Sequence, residues 1–317
     1  MLSLNPLGEE KGSHDMSVKT TAPHILARKG GDLIKMITAY DYPTACIADR
    51  AEADIILVGD SVANVVLGYD DTLAVSIDDM VRHTAAVARA EPSALIVGDM
   101  PWLSYHRSID ETVVNAGRFI REGNAGAVKL EGGRRRLPMV RAVLNAEIPV
   151  MGHLGLTPQS VHAMGGYWVQ GKDASAAYDL ISDARMLADE GVFAIVLEGV
   201  PDVLAELVTQ EVSVPTIGIG AGIHCDGQVL VFHDVVGLGG GEYLPKFVRA
   251  YASLAEDAVT AITKWFADVQ SGEFPGEEET YRMPPESAAI LRELSVASFS
   301  IDNGLGDDLL ADEAMES

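Results

Sequence analysis

The chain is short of cysteine, of lysine and of long apolar runs. Cys46 and Cys225 are its only cysteines in 317 residues. Two thiols cannot build a disulfide framework or a cysteine-based zinc site, and their scarcity fits a reduced, cytoplasmic protein. No run approaches the ~18 uninterrupted apolar residues that a membrane-spanning helix needs. The opening segment, MLSLNPLGEEKGSHDM, carries Glu9 and Glu10 where a signal peptide would be basic or apolar. Basic residues are also scarce: 23 Lys and Arg stand against 47 Asp and Glu, a formal charge of −24. Of those 23, only 8 are lysine and 15 are arginine. So acidic a surface repels nucleic acid and anionic membranes. Acid enrichment joined to lysine depletion reads as a protein working in high salt, as in a halophile, with an ordinary acidic protein as the alternative.

What is present is a core. Apolar residues make up 48% of the chain, and Gly 31 and Pro 14 are too few for a collagenous or low-complexity sequence. Eight short, β-branched apolar runs recur, at 34–41, 53–60, 94–101, 127–133, 148–155, 193–200, 214–221 and 228–235. Most are continuously apolar, the pattern of strands covered on both faces. Helical patterns fill the gaps at Ser76 to Ala90, Asp110 to Glu122, Ala174 to Glu190 and Pro201 to Val212. Eight strand–helix alternations predict an α/β protein, a (β/α)8 TIM barrel. An open doubly wound sheet is disfavoured because no G-x-G-x-x-G follows the first strand. The barrel is expected over 22–275, after an extension of residues 1–21 expected to be flexible. Residues 251–269 carry a helical apolar stripe, expected to be core. Residues 276–317 are expected to form a C-terminal extension with a short helix at Glu286 to Ala297 and a disordered acidic tail.

The chemistry gathers at the ends of the runs. Asp41, Asp60, Asp99, Glu131, His153 and Glu198 each close one. A parallel barrel points all those ends at one mouth. Like charges buried together are costly unless a cation joins them, and carboxylates without cysteine favour a hard ion such as Mg²⁺. The alternative for each acid is a helix N-cap. Lys129 shares the strand face of Glu131, either as a plain ion pair or to hold an anionic substrate. The glycine cluster GIGAG at 218–222 allows a phosphate loop or close backbone packing. Arg134 to Arg136 read as a solvated face.

Longer segments carry a resemblance. TAYDYPTA (38–45), LVGDS (57–61), GDMP (98–101), VKLEGG (128–133), MGHLGLTPQSVHAMGGYWVQGK (151–172), VLEGVP (196–201) and CDGQVLV (225–231) resemble the ketopantoate hydroxymethyltransferase family. HLGLTPQSVH is far more specific than any short motif. The resemblance implies a barrel that binds Mg²⁺ and 3-methyl-2-oxobutanoate, with 5,10-methylenetetrahydrofolate or a related methylene-tetrahydropterin as one-carbon donor. It implies that Asp60, Asp99 and Glu131 organise the metal, directly or through water. It implies further that Ser61 and Lys129 hold the oxo acid, that His153 lines the pocket and that Glu198 is the catalytic base. A homo-oligomer, a decamer in particular, is implied as well. Departures from the family pattern are Val62–Asn64, Trp102–Leu103, Gly199 and Glu279–Tyr281. A rival on the same barrel, a lyase of the isocitrate-lyase type, uses a cysteine in a KKCGH-like loop, and neither Cys46 nor Cys225 lies in one. A non-catalytic barrel would lack the metal carboxylates, which are all present.

The charge carries a prediction. Repulsion reaching about 10 Å is screened near about 0.1 M salt and unscreened far below it. Melting temperature and activity should therefore rise with KCl into the molar range. A melt series that stays flat or falls leaves an ordinary acidic protein.

Overall fold

Strands buried on both faces cannot alternate apolar with polar, and the eight apolar runs do form eight strands. The computed structural model describes residues 19–239 and 245–302. The strands are β1 (Ile34–Thr38), β2 (Ile55–Val58), β3 (Leu95–Asp99), β4 (Ala127–Glu131), β5 (Val150–Gly155), β6 (Ala194–Glu198), β7 (Thr216–Ile219) and β8 (Gly227–Leu230). They close in chain order into a parallel α/β barrel, with β8 paired back to β1. The last run is shorter than expected as a strand. Phe232–Val236 is a helix, because a short apolar run does not distinguish a buried strand from a buried helical turn.

The two-residue period of the strands sorts their side chains into two shells. Ile34, Met36, Ile55, Leu57, Leu95 and Val97 point inward, with Ala22 and Ile25 of the first helix packed into the same cluster. Ile56, Ile96, Val128, Leu130, Ile195 and Leu197 point outward against helices that contribute Phe119, Leu187 and Val208. Those helices start and stop on local signals. Ser76 and Asp79 form a capping box at the start of Ile77–Ala88. Asp173 caps Ala174–Glu190, which ends on Gly191 in the left-handed region. Ile109–Arg121 places Asp110 and Glu111 in its first turn and Arg118 and Arg121 in its last, with the macrodipole at both ends.

Barrel closure is tight. Ile34 pairs with Gly227, and a Cβ at Gly227 would stand 2.5 Å from the Ile34 carbonyl oxygen. Beside it, Asp226 ties three segments together. Its Oδ2 accepts from Lys29 Nζ and from the Thr216 amide, each at 2.9 Å, and its Oδ1 accepts from the Gly30 amide at 2.9 Å.

The chain divides into two compact units, residues up to Ala255 and residues from Glu256. In the second, the helix ending at Ser271 exposes Val259, Ile262, Trp265, Phe266 and Val269. The apolar stripe expected to be core is therefore on the surface, since periodicity reports an apolar face and not what covers it. A second helix spans Pro285–Asp302. Of the flexible extension expected over 1–21, residues 1–18 lie outside the described residues, as does the acidic tail expected after 302. The Thr20 amide, by contrast, donates to the Ser93 carbonyl, and Thr21 stands at the N-cap of the first helix. Among the described residues no helix is long and apolar enough to cross a membrane.

Asp226 generates a test. Burial works to raise its pKa, but the Thr216 and Gly30 amides and the Lys29 ammonium outweigh burial and hold it below the usual range. A depressed folded pKa gives stability that is present above the unfolded value of about 3.9 and is lost as pH falls through the folded value. Asp226→Asn should cost about 1–3 kcal/mol near neutral pH. The gap to wild type should narrow as pH falls below about 4, measured by urea unfolding across pH. A gap independent of pH would remove the charge argument.

Candidate active site

On three strands the inward-facing series is apolar at the bottom and charged at the top. On β3 it reads Leu95, Val97, Asp99; on β4, Ala127, Lys129, Glu131; on β6, Ala194, Val196, Glu198. Register then sets the neighbours, pairing Asp99 with Lys129 and Glu131 with His153. Asp60, Ser61, Asp99, Lys129, Glu131, His153 and Glu198 all line one cavity of about 1090 Å³ at the carboxyl-terminal mouth. Asp41 does not join them. It is exposed and caps Tyr42–Arg50, accepting from the Thr44 amide at 2.9 Å. The N-cap alternative holds there.

Lys129 is the centre of the charged layer. Its Nζ lies 2.9 Å from Asp99 Oδ1, 3.2 Å from His153 Nδ1 and 3.9 Å from Glu131 Oε1, with all four side chains buried. Burial works to lower the lysine pKa, but Asp99, Glu131 and Asp60 outweigh it and hold the ammonium charged. Burial raises Asp60 well above the carboxylate range, and the like charges of Asp99 and Glu131 raise it further. Asp99 is raised by burial against the pull of Lys129. Burial also pushes on Glu131, but His153, Lys129 and the Gln159 amide together hold it low.

His153 stands between two carboxylates. Nδ1 is 3.4 Å from Glu131 Oε1, and Nε2 is 3.2 Å from Glu198 Oε2. Burial and Lys129 work against its positive charge, yet Glu131 and Glu198 push its pKa up to about 9. A neutral ring whose Nδ1 lone pair faces Lys129 carries its hydrogen on Nε2, and a charged ring carries hydrogens on both nitrogens. In both forms an N–H faces Glu198. The Glu198 side chain is 16% exposed, against 2% for Asp99 and 3% for Glu131. It is the carboxylate of this group most open to the cavity.

The donor set suits a divalent cation in part. Asp99 Oδ1 and Glu131 Oε1 are sealed from solvent without accepting a hydrogen bond of good geometry, although Lys129 lies within ion-pair range of both. Asp60 and Asp99 repel each other, a cost that a cation between them would relieve. Among the described residues, however, no three His, Cys, Asp or Glu side chains gather around a common metal position. Lys129 stands beside Asp99 and Glu131 where a three-carboxylate cage would need the ion. The arrangement fits an ion such as Mg²⁺ held by one or two carboxylates, its remaining positions left to water and substrate.

Several residues that build the site were not singled out in the sequence. Gln159 Nε2 donates to Asp60 Oδ2 at 2.9 Å and to the Met100 carbonyl at 3.0 Å, and its amide donates to Glu131 Oε2 at 3.1 Å. The Tyr105 hydroxyl donates to Gln159 Oε1 at 2.6 Å and accepts from the Glu131 amide at 3.2 Å. Tyr40 Oη lies 2.8 Å from Ser61 Oγ. Gln159 sits inside HLGLTPQSVH, but a neutral amide gives no signal of its own. Tyr167 and Phe247 also line the mouth. The GIGAG cluster follows the packing alternative, because a Cβ at Gly220 would strike the Phe247 ring and one at Gly222 would strike Asp202. Neither Cys46 nor Cys225 lines the cavity.

Fold and site together define a closed parallel α/β barrel with a carboxylate-lined mouth. The same fold occurs in phosphonopyruvate hydrolase (TM-score 0.54, 13% identity, 90% of this chain and 98% of that one). It occurs also in phosphoenolpyruvate phosphomutase from Streptomyces platensis subsp. rosaceus (TM-score 0.52, 12% identity, 89% of this chain and 99% of that one). The family model for ketopantoate hydroxymethyltransferase matches residues 19–277. A 3-methyl-2-oxobutanoate hydroxymethyltransferase of Syntrophobacter fumaroxidans is 54% identical over 84% of this chain and 95% of its own length. One from Syntrophomonas wolfei subsp. wolfei is 56% identical over 82% of this chain and 94% of its own. The chain belongs to the ketopantoate hydroxymethyltransferase family.

Gln159 can be tested directly. Gln159→Ala strands Asp60, the Tyr105 hydroxyl and the Met100 carbonyl in a buried layer. A lone unsatisfied buried group costs about 1–3 kcal/mol, and a loss of at least that size is expected in urea unfolding. A variant as stable as wild type would show the network to be replaceable by water.

Proposed function

We propose that this protein transfers a one-carbon unit from 5,10-methylenetetrahydrofolate to 3-methyl-2-oxobutanoate, giving 2-dehydropantoate and tetrahydrofolate in pantothenate and coenzyme A biosynthesis. The observation that carries the reading is the division of carboxylates in one mouth. Asp60, Asp99 and Glu131 form a buried layer with Lys129, while Glu198 stands apart at the cavity surface. The reaction needs both kinds. A carbon beside a ketone is a poor acid, so the ketone oxygen must be stabilised while a separate base removes the carbon-3 proton.

Asp60 and Asp99 would hold Mg²⁺, with Glu131 behind them. Bound there, the ion would supply Lewis-acid polarisation of the ketone oxygen. The chain's own groups do the rest. Lys129 keeps its proton and offers a fixed positive charge to the oxo acid's carboxylate or ketone. Ser61, steadied by Tyr40, offers a hydroxyl to the same end of the substrate. Glu198 takes the carbon-3 proton, and the electron pair of that C–H bond forms the new C–C bond to the donor's methylene carbon. Both C–N bonds to that methylene carbon break: the new C–C bond replaces one and the oxygen of a water replaces the other. The donor's two nitrogens take up the proton carried by Glu198 and one proton of the water, releasing tetrahydrofolate. His153 Nε2, within ion-pair range of Glu198, would offer its N–H or positive charge to the carboxylate. The cavity, at about 1090 Å³, is larger than a five-carbon acid requires, which supports room for a pterin beside it. Tyr167 and Phe247 offer aromatic faces to such a ring.

The test separates base from metal. Glu198→Gln keeps shape but cannot accept the proton, and loss of a general base lowers rate by about 10²–10⁴. The variant should still bind Mg²⁺ and 3-methyl-2-oxobutanoate by calorimetry. It should lose both product formation and exchange of the carbon-3 proton with D₂O, followed by NMR with folate present if needed. Asp60→Ala and Asp99→Ala should instead lose Mg²⁺ binding with the fold intact. Wild-type exchange in Glu198→Gln makes another group the base, and loss of metal binding there would place Glu198 among the ligands.

A further inference from the structure

A second cavity, of about 380 Å³, adjoins the mouth and shares Glu131 with it. Arg134, Arg135, Arg136, His106 and Ser160 line it, together with Tyr105. The solvated face expected for the three arginines is only part of the picture, because Arg136 is half-buried against this cavity. Arg134 is committed to Asp179, at 3.0 Å, and to Asp183. Among the described residues no carboxylate pairs with Arg135 or Arg136. The Arg136 guanidinium lies 5.8 Å from the centre of the Tyr105 ring, and the His106 ring packs on Tyr105 at 4.3 Å. His106 Nδ1 is sealed from solvent and has no partner.

Two glycines let this cavity exist. Gly132 holds φ at +111°, where the Arg136 stem would stand 3.0 Å from an added Cβ. A Cβ at Gly133 would collide with the Asp183 carboxylate that holds Arg134. Any side chain at either position would push an arginine or its partner out of place.

The uncommitted donors are therefore two guanidiniums and the Ser160 hydroxyl, beside an Arg134 already matched by Asp179 and Asp183. Several donors around one small cavity call for an anion with several acceptor oxygens. Guanidinium forks match phosphate oxygens in pairs. We infer that this cavity binds a phosphate-bearing small molecule, at a site separate from the mouth proposed to take the oxo acid. A carboxylate ligand could satisfy the same charges, but a tetrahedral phosphate presents acceptors in more directions to donors arriving from different sides.

Calorimetry with pyrophosphate as probe, on the full chain in magnesium-free buffer at fixed KCl, tests this. Expected is saturable binding of one pyrophosphate per chain, with citrate weaker by about tenfold or more. Arg135→Glu and Arg136→Gln should each weaken pyrophosphate by about tenfold or more. Saturating 3-methyl-2-oxobutanoate should leave pyrophosphate binding unchanged. Arg135 is exposed, so Arg135→Glu keeps the test free of folding effects, and a thermal melt verifies that. Any of four results overturns the inference. They are no saturation in the millimolar range, unchanged binding in Arg135→Glu, citrate binding as tightly as pyrophosphate, or displacement by the oxo acid. Because the readout is binding and not turnover, it stands or falls apart from the proposed reaction.

Discussion

The buried ammonium of Lys129 is the interaction on which the mouth of this barrel depends. Asp60, Asp99 and Glu131 are removed from water within one layer, and carboxylates desolvated together would protonate or unfold the layer unless a positive charge stood among them. Lysine suits the position because its charge is a point at the end of a flexible stem. Starting from the middle of β4, it reaches Asp99 on one side and His153 and Glu131 on the other. Its charge is set by its neighbours in turn, since burial alone would strip its proton. The carboxylates thus keep the lysine charged, and the lysine pulls Asp99 and Glu131 back toward the ionised form against burial. Removing one partner of such a group leaves the rest as uncompensated buried charge.

A neutral bracket surrounds that charged layer. Gln159 gives one N–H to Asp60, another to a backbone carbonyl, and its carbonyl oxygen to the Tyr105 hydroxyl. Every bond is buried, where an unmet partner is expensive and a complete network is rigid. The bracket fixes the direction in which Asp60 presents its remaining oxygen. It also gives Tyr105 two sides. The ring carries Arg136 and His106 in the adjoining cavity. One side chain thus serves the charged layer with its hydroxyl and the adjoining cavity with its ring.

The barrel was legible because its strands are buried on both faces, so each announces itself as an apolar run. The charged residues were legible because parallel closure sends every strand's last inward residue to one place. Reading failed where one-dimensional pattern does not carry the answer. Val231 and Phe232 continue the apolar run of β8, but the chain turns into a helix there after the backbone leaves the sheet. Asp41 closes its run as Asp60 does, yet the Thr44 amide claims it as a cap. The stripe at 251–269 shows an apolar face without showing its cover. Gln159 and Tyr105 were missed for a different reason. Their partners lie far along the chain, Gln159 and Asp60 being separated by 99 positions. Neither residue type is a catalytic signal by itself.

The placement of Glu198 follows from the same electrostatics. The carboxylates inside the Lys129 layer are already engaged, Asp99 with the ammonium and Asp60 with Gln159. Glu198 ends β6, two strands away from the strand that bears Lys129, and meets the layer only through His153. The imidazole stands between it and the ammonium. The Glu198 side chain also retains 16% of its exposure where Asp99 and Glu131 retain almost none. The barrel therefore grades its acids by position. Those beside Lys129 are buried and tied to one another, and the one beyond His153 stands open to the cavity.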